Sequence, residues 1–187
     1  MSLAPERVEQ LLRERFSGVA FERQTGEAVR DHTLILPAEH LVAVCTFLRD
    51  DPACEFAMLS WMGGVDLLPG VPRFECVYSL LSLKHVARFT LMVRVPEEQP
   101  RVPTVTGVWP TANWHERETF DFYGIVFDGH PDLTRILLPD DWEGWPLRKD
   151  SPLGYEEVAF THNTPGRMVP SPSLKKLAPK KVRYRAQ

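Results

Sequence analysis

The sequence has 187 residues, of which 43% are hydrophobic and 25% are charged, and its formal net charge at pH 7 is −3. These proportions are typical of soluble globular domains and exclude a wholly disordered chain, a coiled coil or a collagen-like repeat. No uncharged stretch approaches the roughly 20 apolar residues needed to span a bilayer. The first ten residues include two Glu and one Arg and no apolar run, so they do not predict a secretion signal.

The charge is distributed unevenly along the chain. Residues 161–187 contain seven Lys or Arg, four Pro and no Asp or Glu, which gives +7, whereas residues 1–160 carry −10. Four prolines prevent a long helix or a central strand. We therefore expect one domain over residues 1–160 and an extended basic tail over residues 161–187. The tail is either solvated or laid along an acidic partner or anionic lipid headgroups.

Cysteine usage indicates a reducing compartment. There are three cysteines, an odd number, with no CxxC spacing between Cys45, Cys54 and Cys76. We therefore predict reduced thiols in the cytosol. Cys45 and Cys76 fall at apolar positions of predicted elements, which favours small core residues over nucleophiles.

Two helices and a short strand are predicted in the first 50 residues. The first helix spans Pro5–Phe16, with proline in its first turn and Gly18 after its end. A strand is predicted at His32–Leu36. The second helix opens at Pro37 and runs to Arg49, and its helically spaced apolar residues are Leu41, Val44, Cys45 and Leu48.

Three strands are predicted next, at Glu55–Met62, Arg73–Leu83 and Ala87–Val95. The first is expected to end before Gly63-Gly64. The second and third alternate apolar and polar residues, and the short turn between them predicts an antiparallel hairpin. Helix, strand, helix and a run of strands predict an α+β two-layer sandwich, with the helices packed on one face of a mixed or antiparallel sheet.

The most informative segment, residues 109–152, is called the signature segment below. It contains a predicted helix from Pro110 to Gly124 in which Glu116, Glu118 and Asp121 share faces with aromatic residues. No face is purely polar, so these carboxylates should be partly buried and therefore paired. The candidate partners in the same segment are Arg117, Arg135, Arg148 and Lys149.

Several kinds of site are compatible with these residues. Glu116, Glu118 and Asp121 would suit a paired-carboxylate hydrolase, but nothing else in the chain shapes a sugar cleft. His115 and His130 with Glu118 or Asp132 would suit a metal, although their spacing matches no fixed ligand set. His130 before Pro131 is more typical of a turn residue whose imidazole bonds a nearby carbonyl.

Tryptophan density points to either a contact surface or a second core cluster. Four of the five tryptophans lie between residues 109 and 145. Trp and Arg are the residues that supply most binding energy at protein interfaces. No phosphate loop, dinucleotide fingerprint or nucleophile elbow occurs in the sequence.

Three successive runs, Glu116–Ile125, Phe127–Leu133 and Arg135–Leu137, continue into Asp141–Asp150. Through them the chain resembles the 30 kDa subunit of respiratory complex I, which in bacteria is the C subunit of NADH-quinone oxidoreductase. The resemblance implies that the family signature and a subunit interface are carried by Glu116, Arg117, Glu118, Asp121, Gly124, Gly129, His130, Pro131, Asp132, Arg135, Arg148, Lys149 and Asp150.

Two residues depart from the family pattern. Thr134 stands where a basic residue or proline is usual, and Ser151 stands where an aromatic residue is usual. The first removes one possible contact with a carboxylate, and neither breaks the pattern.

The resemblance implies a scaffold and assembly subunit in the peripheral arm, on the cytoplasmic side of the membrane, packed against the large quinone-site subunit. It implies no catalytic residue, metal or cofactor in this chain, because FMN and the iron–sulfur clusters belong to partner subunits. The whole complex would pass electrons from NADH to quinone and pump protons. No nucleic acid and no direct membrane span are implied.

Other assignments remain open from the sequence. Related complexes use similar subunits with reduced deazaflavin, ferredoxin or a hydrogenase module as electron donor. A free-standing enzyme using the carboxylate helix and an adaptor unrelated to respiration are the remaining classes.

Overall fold

The computed structural model describes residues 3–25 and 32–151 and shows an α+β fold. The helices are α1 (Pro5–Arg15), α2 (Leu41–Asp50) and α3 (Ala112–Tyr123), and a 3-10 turn, Ala38–His40, precedes α2. The strands are β1 (Glu22–Arg23), β2 (Thr33–Ile35), β3 (Met58–Asp66), β4 (Phe74–Ser82), β5 (Ala87–Val95), β6 (Arg101–Pro103) and β7 (Val126–Asp128).

The main sheet is mixed and has the strand order β1-β2-β5-β4-β3. The predicted hairpin of β4 and β5 is confirmed, with Phe74 opposite Val95 and Ser82 opposite Ala87. β2 pairs with β5 in parallel. Parallel strands need a long connection, and here α2, β3 and β4 lie between the two strands in the sequence. The short strands β6 and β7, which were not predicted, form a separate parallel pair.

One face of the main sheet forms the core with the helices, so the predicted two-layer arrangement is confirmed. Alternate residues of β4 and β5 point to this face because side chains in a strand alternate between its two sides. Helix α3 packs on β3. The core side chains of β4, β5, α1 and α2 include Phe74, Cys76, Tyr78, Leu80, Phe89, Leu91, Val93, Val95, Val8, Leu12, Leu41, Val44, Cys45 and Leu48.

The predicted end of β3 before Gly63-Gly64 is wrong, because the strand continues to Asp66. Gly64 serves close packing rather than a turn. A Cβ atom at this position would lie 2.9 Å from Thr119 Cγ2 and 3.0 Å from the Tyr123 ring. The missing side chain therefore lets α3 approach the sheet closely.

The helix boundaries differ slightly from the predicted ones. Pro37 precedes a 3-10 turn, and the α-helical part of α2 begins only at Leu41. The signature helix begins at Ala112 rather than near Pro110. None of the helices in the described part of the chain is long and apolar enough to cross a membrane. The predicted tail, 161–187, and the domain boundary at residue 160 lie outside the described residues.

Substituting Gly64→Ala should lower the free energy of unfolding by about 1–2 kcal/mol, because the added methyl overpacks the contact between β3 and α3. Gly18→Ala is the matched control, since a Cβ atom added there would meet no atom within 4 Å and its backbone is not left-handed. Urea unfolding of both variants measures the difference. Equal stabilities would contradict the close packing described here.

Candidate functional site

Helix α3 carries two buried carboxylates on the side that faces the rest of the protein. Glu116 and Asp121 are both 0% exposed, and Ala112 and Thr119 of the same helix are buried with them. Gly124 ends the helix in the left-handed conformation, with φ of +72°. A Cβ at Gly124 would lie 2.5 Å from the Trp145 ring, so only glycine fits both the backbone and the space.

Asp121 binds the chain that follows β7. Its Oδ1 accepts a hydrogen bond from Arg135 Nη1 at 2.6 Å, and its Oδ2 accepts the backbone N–H groups of Ile136, Leu137 and Leu138 at 2.9–3.2 Å. Burial alone would raise the pKa of Asp121, but these hydrogen bonds outweigh it and hold the pKa below its usual value. The predicted pairing of a buried carboxylate with a guanidinium is thus present at Asp121.

Two arginines, Arg135 and Arg117, hold the irregular chain after residue 133. Arg135 also donates to the carbonyls of Trp142 and Gly144, and its guanidinium lies 4.9 Å from the centre of the Trp145 ring. Arg117 of α3 donates to the carbonyls of Thr134 and Arg135. These contacts replace the regular hydrogen bonds that a helix or strand would supply.

Arg148 closes the far end of the signature segment. It donates from Nε to the carbonyl of Tyr123 at 2.6 Å, and its guanidinium lies over the rings of Phe74 and Trp145 at 5.0 and 5.8 Å. Burial and the nearby Arg73 lower the pKa of Arg148. The expected carboxylate partner on α3 is not used, because Arg148 caps the helix end instead.

A second ion cluster, here called the Arg73 cluster, consists of Arg73, Asp66, Glu97 and Asp150. The Arg73 side chain is 4% exposed and donates to both oxygens of Asp66, to both oxygens of Asp150 and to Glu97. The backbone N–H of Lys149 also donates to Asp66. Burial raises the pKa of Asp66, but Arg73 and two backbone donors outweigh it and bring the pKa to about 2.

Sequence reasoning assigned Lys149 and Asp150 to the signature but missed Arg73, Asp66 and Glu97. The only available signal was the pair of opposite charges seven residues apart that flanks the connection between β3 and β4. Such a pair is common on surfaces, and its burial depends on the distant chain around Asp150.

Among residues 3–25 and 32–151, no arginine pairs with Glu116, so the predicted pairing with Arg117, Arg135 or Arg148 is wrong at this position. Its Oε1 accepts the N–H of Val105 at 2.8 Å, and its Oε2 accepts the hydroxyl of Thr104 at 2.5 Å. His130 Nε2 lies 4.0 Å from Oε2, and this imidazole is also 0% exposed. Burial raises the pKa of Glu116 to about 7 against these two hydrogen bonds.

Glu118 is exposed and makes no ion pair among the described residues, so the prediction that it is partly buried is wrong. Two residues along an α-helix turn the side chain by about 200°, which places Glu118 opposite the buried Glu116. His130 behaves as predicted for a turn residue. Its Nδ1 accepts the N–H of Asp132, and its Nε2 faces the carbonyl of Asn113 at 3.4 Å.

The alternative sites weighed above find no support in the geometry. Glu116 and Asp121 are fully buried, so they do not form the open carboxylate pair of a glycosidase. The described ranges hold no group of three or more His, Cys, Asp or Glu arranged for a metal ion. Cys45 and Cys76 are fully buried, and burial raises the pKa of both thiols, as expected for core residues.

The outer side of the signature segment presents large apolar side chains, here called the signature surface: Trp114, Leu137, Trp142 and Leu147. They are 61%, 59%, 45% and 50% exposed, respectively. Each is connected to α3. Trp114 belongs to the helix, the Leu137 amide donates to Asp121, and the Leu147 amide donates to the carbonyl of Phe122. Trp142 is connected through Arg135, which binds both its carbonyl and Asp121. Arg117 lies 5.5 Å over the Trp114 ring. Of the other signature residues, Gly129, Pro131 and Asp132 are exposed.

The fold and the site together define an α+β domain whose charged signature residues hold a fixed surface. The sequence profile of the family described as "Respiratory-chain NADH dehydrogenase, 30 Kd subunit" matches residues 34–157. The chain belongs to this family.

Relatives and solved structures agree with this membership. The chain is 56% identical over 133 residues to the NADH-quinone oxidoreductase C subunit of Roseiflexus sp. (strain RS-1), covering 71% of this chain and 76% of the relative. It is 42% identical over 175 residues to the second such C subunit of Rhizobium etli (strain CIAT 652), covering 93% and 92%. The trypsin-resistant fragment (1-134) of Nqo5 has 38% identity and a TM-score of 0.53, covering 68% of this chain and 99% of that one.

A chain of the membrane-bound sulfane sulfur reductase (MBS), described as an archaeal respiratory membrane complex, has the same fold. Its TM-score is 0.65 at 22% identity, and the match covers 79% of this chain and 85% of that one. The likeness at this identity concerns the fold alone.

Substituting Asp121→Asn should lower the free energy of unfolding by about 3 kcal/mol, because it leaves Arg135 and the three backbone donors without the carboxylate. Glu118→Gln on the same helix makes the same chemical change at an exposed position. Its effect should stay within about 0.5 kcal/mol. Thermal and urea unfolding give the comparison, and an Asp121→Asn variant as stable as the control would refute the assignment.

Proposed function

We propose that this chain is a structural and assembly subunit of the peripheral arm of a proton-translocating NADH-quinone oxidoreductase. The observation that carries the proposal is the match of residues 34–157, which include the signature segment, to the 30 kDa family. Relatives that share 42–56% identity are named as the C subunit of that oxidoreductase. The chain would lie on the cytoplasmic side of the membrane and be attached through the complex.

The signature surface is the face that we assign to the large quinone-site subunit. Exposed Trp side chains, one of them under an arginine, are typical of the energetic centre of a protein interface, and the two exposed Leu side chains add apolar area. The backbone at Leu137 and Trp142 is already held by Asp121 and Arg135, which lowers the backbone entropy lost on binding.

We further propose that the chain itself carries no catalytic residue and no cofactor, and that FMN and the iron–sulfur clusters belong to partner subunits. Two of the thiols and two of the buried carboxylates in the described part of the chain are not available for catalysis or ligand binding. The thiols of Cys45 and Cys76 are buried with raised pKa values, and Asp121 and Asp66 are saturated with hydrogen bonds. Such groups are unsuited to act as nucleophiles or metal ligands.

NADH is the electron donor we propose for the complex. A subunit in a complex with deazaflavin, ferredoxin or a hydrogenase module is the alternative, and the shared fold of the sulfane sulfur reductase chain is compatible with it at 22% identity. The two relatives with much higher identity are both named for NADH and quinone. That difference in similarity favours NADH.

Substituting Leu137→Ser should reduce the amount of chain recovered in the membrane-bound complex severalfold, because it removes apolar area from the proposed contact. Leu83→Ser is the matched control, since Leu83 is 69% exposed in the turn between β4 and β5. The measurement is affinity purification of the tagged chain from solubilised membranes, with the partner subunits quantified.

The comparison of the two variants separates the possible outcomes. Equal loss or equal retention would exclude the signature surface as the contact. A third variant, Trp61→Ala, tests the open face of the main sheet, where Trp61 is 48% exposed. If only this variant is lost from the complex, the contact lies on that face instead.

The predicted tail over residues 161–187 gives a separate prediction. Deleting it should leave the fold of the preceding residues intact but lower retention in the complex. The tail's share of that retention should shrink with added salt, because its +7 charge would bind acidic surface. Trypsin should remove the tail from the isolated chain but not from the complex. That the similar Nqo5 chain was solved as a trypsin-resistant fragment (1-134) supports this expectation. A tail that resists trypsin in the isolated chain would contradict it.

A further inference from the structure

A buried polar cluster around Glu116 has no role in the proposed contact surface. Glu116 lies under the chain between β6 and α3, and its carboxyl group is 0% exposed. A carboxylate in such a place is normally neutralised by a cation. Here its hydrogen-bond donors are the Thr104 hydroxyl and the Val105 amide, both uncharged. Burial without a cation therefore raises the pKa of Glu116 to about 7, although both donors oppose the shift.

His130 faces the same carboxyl group as a neutral imidazole. Its Nδ1 accepts the amide N–H of Asp132 at 3.0 Å, so the ring proton is on Nε2. Nε2 points to the Asn113 carbonyl at 3.4 Å and lies 4.0 Å from Glu116 Oε2. Burial and the charge of Arg117 lower the pKa of His130 against the opposing effects of Asn113 and Asp132.

The segment after β6 favours a charge on Glu116 through Thr104 and Val105, and burial opposes it. On the neighbouring elements, burial and the charge of Glu116 raise the pKa values of Cys45 on α2 and of Cys76 and Tyr78 on β4. Among the described residues, the Tyr78 hydroxyl has no hydrogen-bond partner, and neither has Asn113 Oδ1. The surroundings thus offer dipoles but no compensating cation.

Two hydroxyl groups extend from Glu116 as far as Thr106. Thr104 Oγ1 lies 2.5 Å from Glu116 Oε2 and 2.9 Å from Thr106 Oγ1, and Thr106 is half-buried. Each hydroxyl donates one hydrogen and accepts others, so the direction of both bonds can follow the protonation of Glu116. With Glu116 ionised, Thr106 donates to Thr104 and Thr104 donates to the carboxylate. With Glu116 protonated, both bonds reverse, which gives a route for proton transfer between Glu116 and Thr106.

We propose that Glu116, Thr104, Thr106 and His130 form a proton-dependent latch that is closed while Glu116 carries a proton and is weakened when Glu116 ionises. The latch joins three parts of the chain, namely the segment after β6, the helix α3 and the turn after β7. Raising the pH above neutrality would therefore loosen the attachment of the segment after β6 to α3. The inference concerns this chain alone and stands whether or not the proposed contact is correct.

The sign of the effect follows from the pKa shifts. The pKa of Glu116 rises from 4.5 to about 7 on folding, so its contribution to stability is complete below pH 4.5 and is lost as the pH rises to about 7. The pKa of His130 falls on folding, so its contribution is present above pH 6.5 and is lost as the pH falls. The two effects oppose each other and are separated by removing Glu116.

Urea unfolding of the full chain between pH 5 and 8 tests the latch. Relative to Glu116→Gln, the unfolding equilibrium constant of the unmodified chain should rise about 100-fold over this range. Glu118→Gln, which changes an exposed carboxyl on the same helix, should follow the unmodified chain at every pH. Parallel curves for the unmodified chain and Glu116→Gln would overturn the proposal.

A second measurement does not depend on how well Glu116→Gln folds. The carbon-13 shift of the Glu116 carboxyl group, followed by NMR in the unmodified full chain, reports its ionisation directly. A midpoint near 7 supports the latch, whereas a midpoint near 4.5 overturns it. The Thr106→Val variant should keep the midpoint within about one unit but slow proton exchange at Glu116, because it interrupts the hydroxyl path. An unchanged exchange rate would remove the path from the proposal.

Discussion

The burial of two carboxylates on one helix is the constraint on which the rest of the signature segment depends. A carboxylate removed from water costs several kcal/mol unless hydrogen bonds replace its hydration. Helix α3 buries both Glu116 and Asp121, and each draws a different loop onto the helix. Asp121 accepts hydrogen bonds from the chain after residue 134, and Glu116 accepts hydrogen bonds from the segment after β6. The helix thus fixes two irregular segments that have little secondary structure of their own.

The burial of the two carboxyl groups is compensated in opposite ways. Asp121 receives a guanidinium and three amide donors, and its pKa falls, so the ionised form is the stable one. Glu116 receives one hydroxyl and one amide beside a neutral imidazole, and its pKa rises to about 7. Asp121 is therefore an ionic anchor, while we propose that the contact made by Glu116 depends on pH near neutrality. The Arg73 cluster adds a third anchor, at Asp150.

The fold could be predicted largely from the sequence because its main features are local. Alternating residues in β4 and β5 and the apolar faces of α1 and α2 are periodic signals, and the structure follows them. Strands β6 and β7 were missed because three residues are too few to show alternation. Gly64 was misread as a break because a glycine that ends a strand and one that admits a neighbouring helix look the same in sequence.

The site was predictable only where partners are close in the chain. Mixed polar and apolar faces on α3 correctly indicated the burial of Glu116 and Asp121 but wrongly that of Glu118. Asp121 and its partner Arg135 lie within the same segment. Glu116 accepts hydrogen bonds from the Thr104 hydroxyl and the Val105 amide, and the pattern of charged residues in the sequence does not indicate such uncharged donors. Arg73 meets Asp150 across 77 positions, and only the folded sheet brings them together.

Residue-resolved amide hydrogen exchange in the isolated chain tests the central claim most directly. If Asp121 holds the signature surface in place, the amides of Ile136, Leu137 and Leu138 should exchange far more slowly than in an unstructured peptide, although they lie outside any helix or strand. The exposed Asp141 amide, which makes no hydrogen bond to the described residues, should exchange rapidly. Rapid exchange at all four amides would show that the buried carboxylate does not organise this surface.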